Sequence, residues 1–157
     1  MPLMLITAIA IKLESRGPVL FRHVRLGRDG RPFVMFKFRS MCQEASVLQA
    51  QLVSQNGVPG PVFKIRSDPR ITRVGHLIRK YSLDELPQLW NGLRGEMSLV
   101  GPRPPIPDEV VRYHPWQRER LAVKPGLTCT WQVSGRSDIP FDEWMQMDIE
   151  YVRTRSL

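Results

Sequence analysis

The first eleven residues of the chain, MPLMLITAIAI, carry no charged side chain before Lys12. An apolar run of this length predicts a helix, yet it is shorter than the ~20 residues that a bilayer-spanning helix needs. The run does not have the pattern of a secretory signal peptide, because the basic residues follow the apolar run instead of preceding it. Two alternatives remain open: a helix buried in a core, and the stump of a helix inserted into a membrane.

Charge and cysteine content exclude several other classes of protein. The 157-residue chain has 23 Lys and Arg against 15 Asp and Glu, a net charge of +8, which favours an anionic partner such as nucleic acid, anionic lipid or a phosphorylated small molecule. Its 42% hydrophobic content excludes wholesale disorder. Two cysteines and three histidines without a shared short spacing exclude a disulfide framework and a structural zinc module.

A basic β-hairpin is predicted for about residues 18–40. Two runs rich in Val, Phe and Leu flank Gly27-Arg28-Asp29-Gly30, which has the composition of a hairpin turn. Basic residues far outnumber acidic ones between Arg16 and Arg39, so one face of the hairpin is cationic. Phenylalanines alternate loosely with these bases, which keeps a nucleic-acid-binding module open as a rival class.

The remainder of the chain reads as helices, turns and one stiff segment. GPRPPIP (101–107) has four prolines and must be extended. Helices are predicted over 41–52, 71–80, 82–93, 110–122 and 141–153, a loop over 54–61, and a short strand over 127–133. No linker divides the chain, so the sequence predicts one α+β domain over 1–157, mainly helical with one hairpin.

The adjacent carboxylates Asp84 and Glu85 are the first candidates for chemistry. Asp84 is predicted to cap the helix over 82–93, with Glu85 and Pro87 in its first turn. Successive helical side chains point ~100° apart, so one carboxylate can attack a ligand while its neighbour holds a cation. A purely structural role stays open, because the helix dipole stabilises negative charge at an N-terminus.

Several basic residues in fixed settings accompany these carboxylates. Lys37 and Arg39 lie on the hairpin, Arg103 lies between prolines, and Arg136 lies in Ser-Gly-Arg-Ser. A guanidinium on an immobile backbone suits bidentate binding of phosphate, which phosphoryl transfer requires. A solvated surface arginine is the alternative. P-loop and dinucleotide-binding motifs do not occur.

Five separated blocks of the sequence carry a resemblance to a known family. They are KFRSM (37–41), DPRITRVGHLIRKYSLDELPQLWNGLRGEMSLVGPRP (68–104), KPGLT (124–128), WQVSGRS (131–137) and MDIEYVR (147–153). In order and spacing they resemble the bacterial sugar transferases known as monotopic phosphoglycosyl transferases. The resemblance implies a Mg²⁺-dependent enzyme that moves a sugar 1-phosphate from a UDP-sugar to polyprenyl (undecaprenyl) phosphate and releases UMP through a phosphosugar-aspartate intermediate.

The resemblance also implies a role for individual residues. Asp84 matches the nucleophile that attacks the β-phosphorus, Glu85 matches the Mg²⁺ ligand beside it, and Arg103 matches the arginine that grips phosphate. Further polar residues that match the lining of that active site are Lys37, Arg39, Arg136 and Asp148. The implied partners are a UDP-sugar, a polyprenyl phosphate and the membrane surface, with no nucleic acid expected.

The implied biological setting is the cytoplasmic face of a bacterial inner membrane, at the start of exopolysaccharide, O-antigen or glycoprotein glycan synthesis. The sugar, the pathway and the oligomeric state stay open. Residues 1–13 match the remnant of a re-entrant membrane helix, and the family continues beyond Leu157, so the resemblance implies a catalytic domain truncated at both ends. The alternative is a non-catalytic basic module for anionic lipid or nucleic acid, whose affinity would fall steeply with salt.

Overall fold

The computed structural model describes residues 2–52, 65, 67–135 and 139–155, and they form two compact units. The first unit takes the described residues of Met1–Arg22, Phe36–Gly57 and Phe63–Gln88, and the second takes those of His23–Met35 and Leu89–Leu157. The helices are α1 (Pro2–Glu14), α2 (Ala45–Gln51), α3 (Arg73–Lys80), α4 (Gln88–Leu93), α5 (Pro107–Val111), α6 (Thr130–Ser134) and α7 (Phe141–Thr154). The strands are β1 (Leu20–Leu26), β2 (Pro32–Phe38), β3 (Ser98–Val100) and β4 (Gly126–Thr128), and 3₁₀ segments cover Arg28–Gly30, Leu83–Glu85 and Pro115–Ala122.

This element content confirms the predicted α+β class with helices predominating. That all of 1–157 forms one catalytic domain stays a prediction.

The hairpin predicted for about residues 18–40 is confirmed. β1 and β2 pair in a two-stranded sheet, and the Gly27 amide donates to the Arg31 carbonyl across the turn at 2.8 Å. Asp29 and Gly30 have φ of 56° and 71°, a left-handed conformation that Gly and Asp adopt more readily than most residues. The turn residues of the sequence therefore determine where the chain reverses.

The apolar core of the first unit joins α1, β2 and α3 through Ile11, Phe38 and Ile78. α1 gives only one side to this core: Ile11 is buried, whereas Leu5 and Leu13 are 64% and 83% exposed. α1 is therefore not a helix buried on all sides. Within the described residues, no helix combines the length and apolar character needed to cross a bilayer.

The apolar core of the second unit is built on α7. Its side chains Phe141, Trp144 and Met145 are buried together with Val110 of α5 and Tyr113. A spacing of three to four residues places such side chains on one helical face. The rings of Phe141 and Trp144 meet edge to face, with centroids 4.8 Å apart, a geometry that aromatic pairs prefer. The terminal helix predicted from the sequence is therefore confirmed with the bounds of α7.

Two predicted helices are confirmed in shorter form. The predictions over 41–52 and 71–80 correspond to α2 and α3. α3 begins after Thr72, whose hydroxyl accepts a hydrogen bond from the Gly75 amide at 2.9 Å, as a helix N-cap does. The loop predicted over 54–61 lies outside the described residues.

The continuous helix predicted over 82–93 is wrong: the segment is a 3₁₀ turn followed by α4. Pro87 has no N–H to donate to the carbonyl of Leu83, four residues earlier. That carbonyl accepts from the Leu86 amide at 3.2 Å instead, which is the three-residue pattern of a 3₁₀ turn. Asp84 therefore lies inside this turn and does not cap an α-helix.

The strand predicted over 127–133 is also corrected. It is β4 followed by α6. β4 pairs in parallel with β3, with Val100 opposite Thr128, and β3 ends at Val100 because the proline-rich segment 101–107 follows. Residues after Thr128 then have no strand partner in β3 and turn into a helix. The helical stretch predicted over 110–122 is confirmed in part, as α5 and a 3₁₀ helix.

α3 lies close to the chain after β2 at Gly75. A Cβ atom added to Gly75 would lie 2.0 Å from the carbonyl oxygen of Ser40, a backbone atom that cannot rotate out of the way. A Cβ atom added to Gly92, in α4, would meet nothing within 4 Å. The two helical glycines therefore differ in whether a methyl group can be accommodated.

We expect Gly75→Ala to lower the free energy of unfolding by about 1–3 kcal/mol through overpacking, although alanine by itself favours a helix over glycine by about 1 kcal/mol. Gly92→Ala is the matched control and should leave stability unchanged or raise it. Urea denaturation followed by circular dichroism measures both variants. Equal effects of the two substitutions would contradict the close packing at Gly75.

Candidate active site

The adjacent carboxylates Asp84 and Glu85 lie in the 3₁₀ turn between α3 and α4. Asp84 is buried at 8% exposure, whereas the side chain of Glu85 is 29% exposed. Residues in a 3₁₀ turn follow one another at ~120°, so the two carboxylates face different directions. One carboxylate is therefore buried and the other accessible, and the division into an attacking group and a cation ligand stays a prediction.

The surroundings of Asp84 include groups that raise its pKa and groups that lower it. Burial raises the pKa of Asp84, and the negative charge of Glu85 raises it further. The positive charges of Lys37 and Arg79 lower this pKa, but the net direction is upward. Asp84 is thus a carboxylate that has lost water and has cations nearby.

Lys37 extends from β2 to the carboxylate pair. Its Nζ lies 2.6 Å from Oε1 of Glu85, and the two side chains are 27% and 29% exposed. The same ammonium group lowers the pKa of Asp84. The structure therefore brings together three of the residues that the sequence nominated.

Arg39, also nominated from the sequence, has other partners. It is 8% exposed, and its guanidinium donates to the carbonyl of Ser15 at 2.9 Å and to that of Arg16. These carbonyls follow the C-terminus of α1, where backbone acceptors have no helical donor and a cation is favourable. Arg39 holds the chain that leaves α1, and its predicted contact with a phosphate stays a prediction.

Arg79 is a cation of the site that sequence analysis did not nominate. Its Nε donates to the hydroxyl of Ser40 at 2.8 Å, and its charge lowers the pKa of Asp84. The reciprocal effect of Asp84 on Arg79 is the largest charge effect on that guanidinium, although burial still lowers the pKa of Arg79 overall. The available signal was its place in the last turn of α3, shortly before the carboxylates.

The other nominated residues belong to the second unit or lie outside the described residues. The side chain of Arg103 is 31% exposed, with Nη1 3.8 Å from Oε1 of Glu109. Asp148 is fully buried, and its Oδ2 lies 2.5 Å from Nη2 of Arg120. Substrate contact by Arg103 and Asp148 stays a prediction, and Arg136 lies outside the described residues.

The carboxylate pair is compatible with a magnesium ion. Among the residues described by the structure, no group of three or more His, Cys, Asp or Glu side chains could hold a metal. Mg²⁺ is usually bound through one or two carboxylates, with water and substrate phosphates completing its shell. Asp84 and Glu85 fit that pattern. A cation at Glu85 would compete with Lys37 for the same carboxylate.

Cys129 does not offer a nucleophile. Its thiol is 2% exposed, and burial raises the pKa of Cys129 to about 12. A thiol with such a pKa is neutral at physiological pH and therefore a poor nucleophile. Cys129 is a buried core residue.

Comparison with known proteins gives a consistent result. A family model described as bacterial sugar transferase matches residues 1–157. The galactosyl transferase CpsE of Streptococcus agalactiae is 48% identical over 145 residues, which cover 92% of this chain and 32% of that protein. The undecaprenyl-phosphate galactose phosphotransferase of Salmonella typhimurium is 46% identical over 145 residues, covering 90% and 30%. The exopolysaccharide production protein ExoY of Rhizobium meliloti is 39% identical over 160 residues, covering 99% and 71%.

This chain spans about a third of the length of the Streptococcus and Salmonella relatives.

Lys37→Met should raise the pKa of Asp84 further. The substitution removes a nearby positive charge while burial and the repulsion from Glu85 remain. The carboxyl ¹³C chemical shift of Asp84, followed by NMR through a pH titration, measures the change. Lys80→Met is the control, because Lys80 lies over the ring of Tyr81 and does not contribute to the pKa shift of Asp84. An unchanged pKa of Asp84 in the Lys37 variant would contradict the electrostatic coupling.

Proposed function

The chain belongs to the bacterial sugar transferase family, and on that premise we propose that it transfers a sugar 1-phosphate from a UDP-sugar to undecaprenyl phosphate. UMP is the second product, and the lipid-linked sugar initiates a bacterial surface glycan. The name of the Salmonella relative supports both the acceptor and the phosphotransfer. The name of the Rhizobium relative supports a role in exopolysaccharide production.

The observation that carries the proposal is the buried carboxyl of Asp84, whose pKa is influenced by the charges of Glu85, Lys37 and Arg79. An anionic nucleophile can approach an anionic diphosphate only where positive charge offsets the repulsion. Lys37 and Arg79 provide such charge near Asp84. A carboxylate that has lost water is also a better nucleophile than one fully hydrated.

The reaction proceeds in two displacements at one phosphorus atom. An oxygen of Asp84 bonds to the β-phosphorus of the UDP-sugar, the bond from that phosphorus to the bridging oxygen breaks, and UMP leaves with the electron pair. A phosphate oxygen of undecaprenyl phosphate then attacks the same phosphorus and displaces Asp84. Asp84 regains its free carboxylate, and the product is an undecaprenyl diphosphate sugar.

Glu85 is proposed to hold Mg²⁺, which when bound would offset charge on the donor diphosphate. Lys37, which is paired with Glu85, keeps this carboxylate oriented and neutralised before the cation binds. With Mg²⁺ held by Glu85, the Lys37 ammonium would be available to a phosphate oxygen, and neither charge would be left unpaired.

The proposed location is the cytoplasmic face of the bacterial inner membrane, where a polyprenyl phosphate presents its headgroup. Two features support this location. α1 exposes apolar side chains that include Leu5 and Leu13, and the chain has a net charge of +8, which favours an anionic lipid surface.

Release of UMP from a panel of UDP-sugars, measured with undecaprenyl phosphate and Mg²⁺ present, tests the proposed function. We expect turnover with a defined sugar. Binding to anionic vesicles without turnover of any UDP-sugar would favour the alternative of a non-catalytic basic module.

Asp84→Asn should abolish UMP release, because an amide is not a competent nucleophile toward phosphorus. Its thermal midpoint at neutral pH should equal or exceed that of the wild type. The folded-state pKa of Asp84 is raised, so ionisation of Asp84 costs stability as the pH rises from the unfolded to the folded pKa. The stability gain of the amide should therefore disappear in acid.

Asp29→Asn is the control for this substitution, because Asp29 is exposed in the hairpin turn and asparagine tolerates its left-handed backbone. This variant should retain activity. An Asp84→Asn protein that releases UMP at the wild-type rate would refute the nucleophile assignment.

Glu85→Gln should raise the Mg²⁺ concentration that half-maximal activity requires, because a hard cation prefers charged oxygen ligands. Turnover should be partly restored at high Mg²⁺. A Mg²⁺ titration of UMP release compares this variant with wild type and with Glu44→Gln, an exposed glutamate ahead of α2. An unchanged Mg²⁺ dependence would reassign Glu85 to a structural role.

A further inference from the structure

The segment that carries Arg103 is held by hydrogen bonds along its whole length. Its prolines have no N–H to donate, so their carbonyls and the remaining amides must find partners elsewhere. The bonds are Gly101 N to Thr128 O at 3.0 Å, Gly126 N to Pro102 O at 3.0 Å, Arg120 Nη2 to Arg103 O at 2.8 Å, Arg25 Nη1 to Pro104 O at 3.1 Å, Leu26 N to Pro105 O at 2.9 Å and Ile106 N to Glu109 Oε2 at 3.2 Å. Each residue from 101 to 106 therefore has a backbone anchor, whereas Pro107, the last residue of the segment that was predicted to be extended, begins α5.

The anchor at Arg103 itself is the guanidinium of Arg120. Arg120 is 2% exposed and donates to the hydroxyl of Tyr113 at 2.8 Å and to Oδ2 of Asp148 at 2.5 Å. Its guanidinium carbon lies 5.2 Å from the ring centroid of Trp144. Four different groups therefore fix the position of one buried guanidinium.

A buried ion pair of this kind adds little net stability to a core, since an apolar replacement of similar volume is often as stable. The geometry instead indicates that the pair fixes the position of other groups. Asp148 fixes Arg120, and Arg120 fixes the backbone of Arg103. The last residue in this series of contacts is Arg103. Its own side chain is 31% exposed, and its Nη1 lies 3.8 Å from Oε1 of Glu109.

We propose that Arg120 is a positioning residue for Arg103, and that Asp148 acts by holding Arg120 and not by touching substrate. The proposal rests on the proposed function and on the role that the family resemblance implies for Arg103, which is to grip a phosphate of the donor. A bidentate guanidinium contact tolerates little misplacement, because a shift of about 1 Å can cost a factor of about 100 in rate. The exposed side chain of Arg103 can place its guanidinium accurately on a phosphate only if the backbone of Arg103 does not move.

A double-mutant cycle separates positioning from an independent role. Arg120→Lys retains the charge beside Asp148 but loses the fork that reaches the Arg103 carbonyl. We expect kcat/KM for the UDP-sugar to fall by about 10- to 100-fold in this variant. In an Arg103→Lys background the same substitution should cost less than about 3-fold, because the group it positions has already been removed. Losses that multiply in the double variant would overturn the proposal.

Arg120 lies in the 3₁₀ helix Pro115–Ala122 and Asp148 lies in α7. A second ion pair joins these two helices and serves as the matched control. Nη2 of Arg153, in α7, lies 2.7 Å from Oε2 of Glu119 on the surface, and the two side chains are 66% and 44% exposed. Glu119→Gln removes this exposed ion pair and should leave kcat/KM within about twofold of wild type, as most surface pairs do. A loss in Glu119→Gln equal to that of Arg120→Lys would show that any weakening of this helix contact suffices, and would overturn a specific role for Arg120.

Two milder variants keep the test decisive if Arg120→Lys does not fold. Tyr113→Phe removes one acceptor of Arg120 and leaves the Arg103 carbonyl bond in place, and Asp148→Asn removes the opposing charge. Each should lower kcat/KM in the wild-type background and have little further effect in Arg103→Lys. Full additivity with Arg103→Lys would assign Asp148 or Tyr113 a role of its own and overturn the proposed coupling.

Hydrogen exchange provides a readout that needs no turnover. In the full chain, the peptide containing residues 101–106 should exchange faster in Arg120→Lys and Asp148→Asn than in wild type and Glu119→Gln. Unchanged exchange in both variants would overturn the positioning role whatever the activity. If wild type releases no UMP from any UDP-sugar, the proposed function fails, while the exchange result still decides whether Arg120 holds the segment.

Discussion

Two carboxyl groups of the first unit have the same small solvent exposure but different surroundings, and the candidate site depends on that difference. Asp68 and Asp84 are each 8% exposed. Arg70 donates to both oxygens of Asp68, at 2.9 and 2.6 Å, and this hydrogen bonding lowers the pKa of Asp68. Burial outweighs the neighbouring cations at Asp84, so the pKa of that residue is raised. A carboxylate neutralised by a bidentate arginine is structural, whereas one that is buried and only partly compensated is available for chemistry.

The arginines of the second unit divide in the same manner. Arg120 and Arg25 direct their guanidinium groups at backbone carbonyls of the proline-rich segment, while Arg103 on that segment keeps a partly exposed side chain. Burial and the charge of Arg103 lower the pKa of Arg25 to about 10, which still leaves it protonated at neutral pH. In a chain of net charge +8, the arginines that anchor the backbone differ from the others in what their donors contact and not in their type.

Local patterns in the sequence were sufficient for elements whose determinants are local. The hairpin follows from turn residues such as Asp29, and α7 follows from its apolar spacing. The prediction of a continuous helix over 82–93 was wrong because Pro87 lacks the backbone N–H that one helical hydrogen bond needs. The prediction from local propensity gave this missing donor too little weight. Arg39 contacts the carbonyl of Ser15 and Arg120 contacts Asp148, and each of these partners lies more than 20 residues away along the chain. Charge and spacing cannot tell which arginine such distant groups will bury, and Arg120 lies in the polar stretch 110–122, for which the sequence predicted only a helix.

Departures from local preference concentrate just before the candidate nucleophile. Ser82 has φ of 55°, a left-handed conformation that costs a non-glycine residue roughly 1 kcal/mol or more. Two residues later the chain buries Asp84 with a raised pKa, which is a second cost to stability. Neither cost has a local structural benefit, since a glycine at 82 would relieve the first and an amide at 84 the second. Costs of this kind persist where a surrounding structure fixes a reactive group in place. Their coincidence within three residues is a physical reason, independent of any resemblance, to locate the chemistry of the first unit at Asp84.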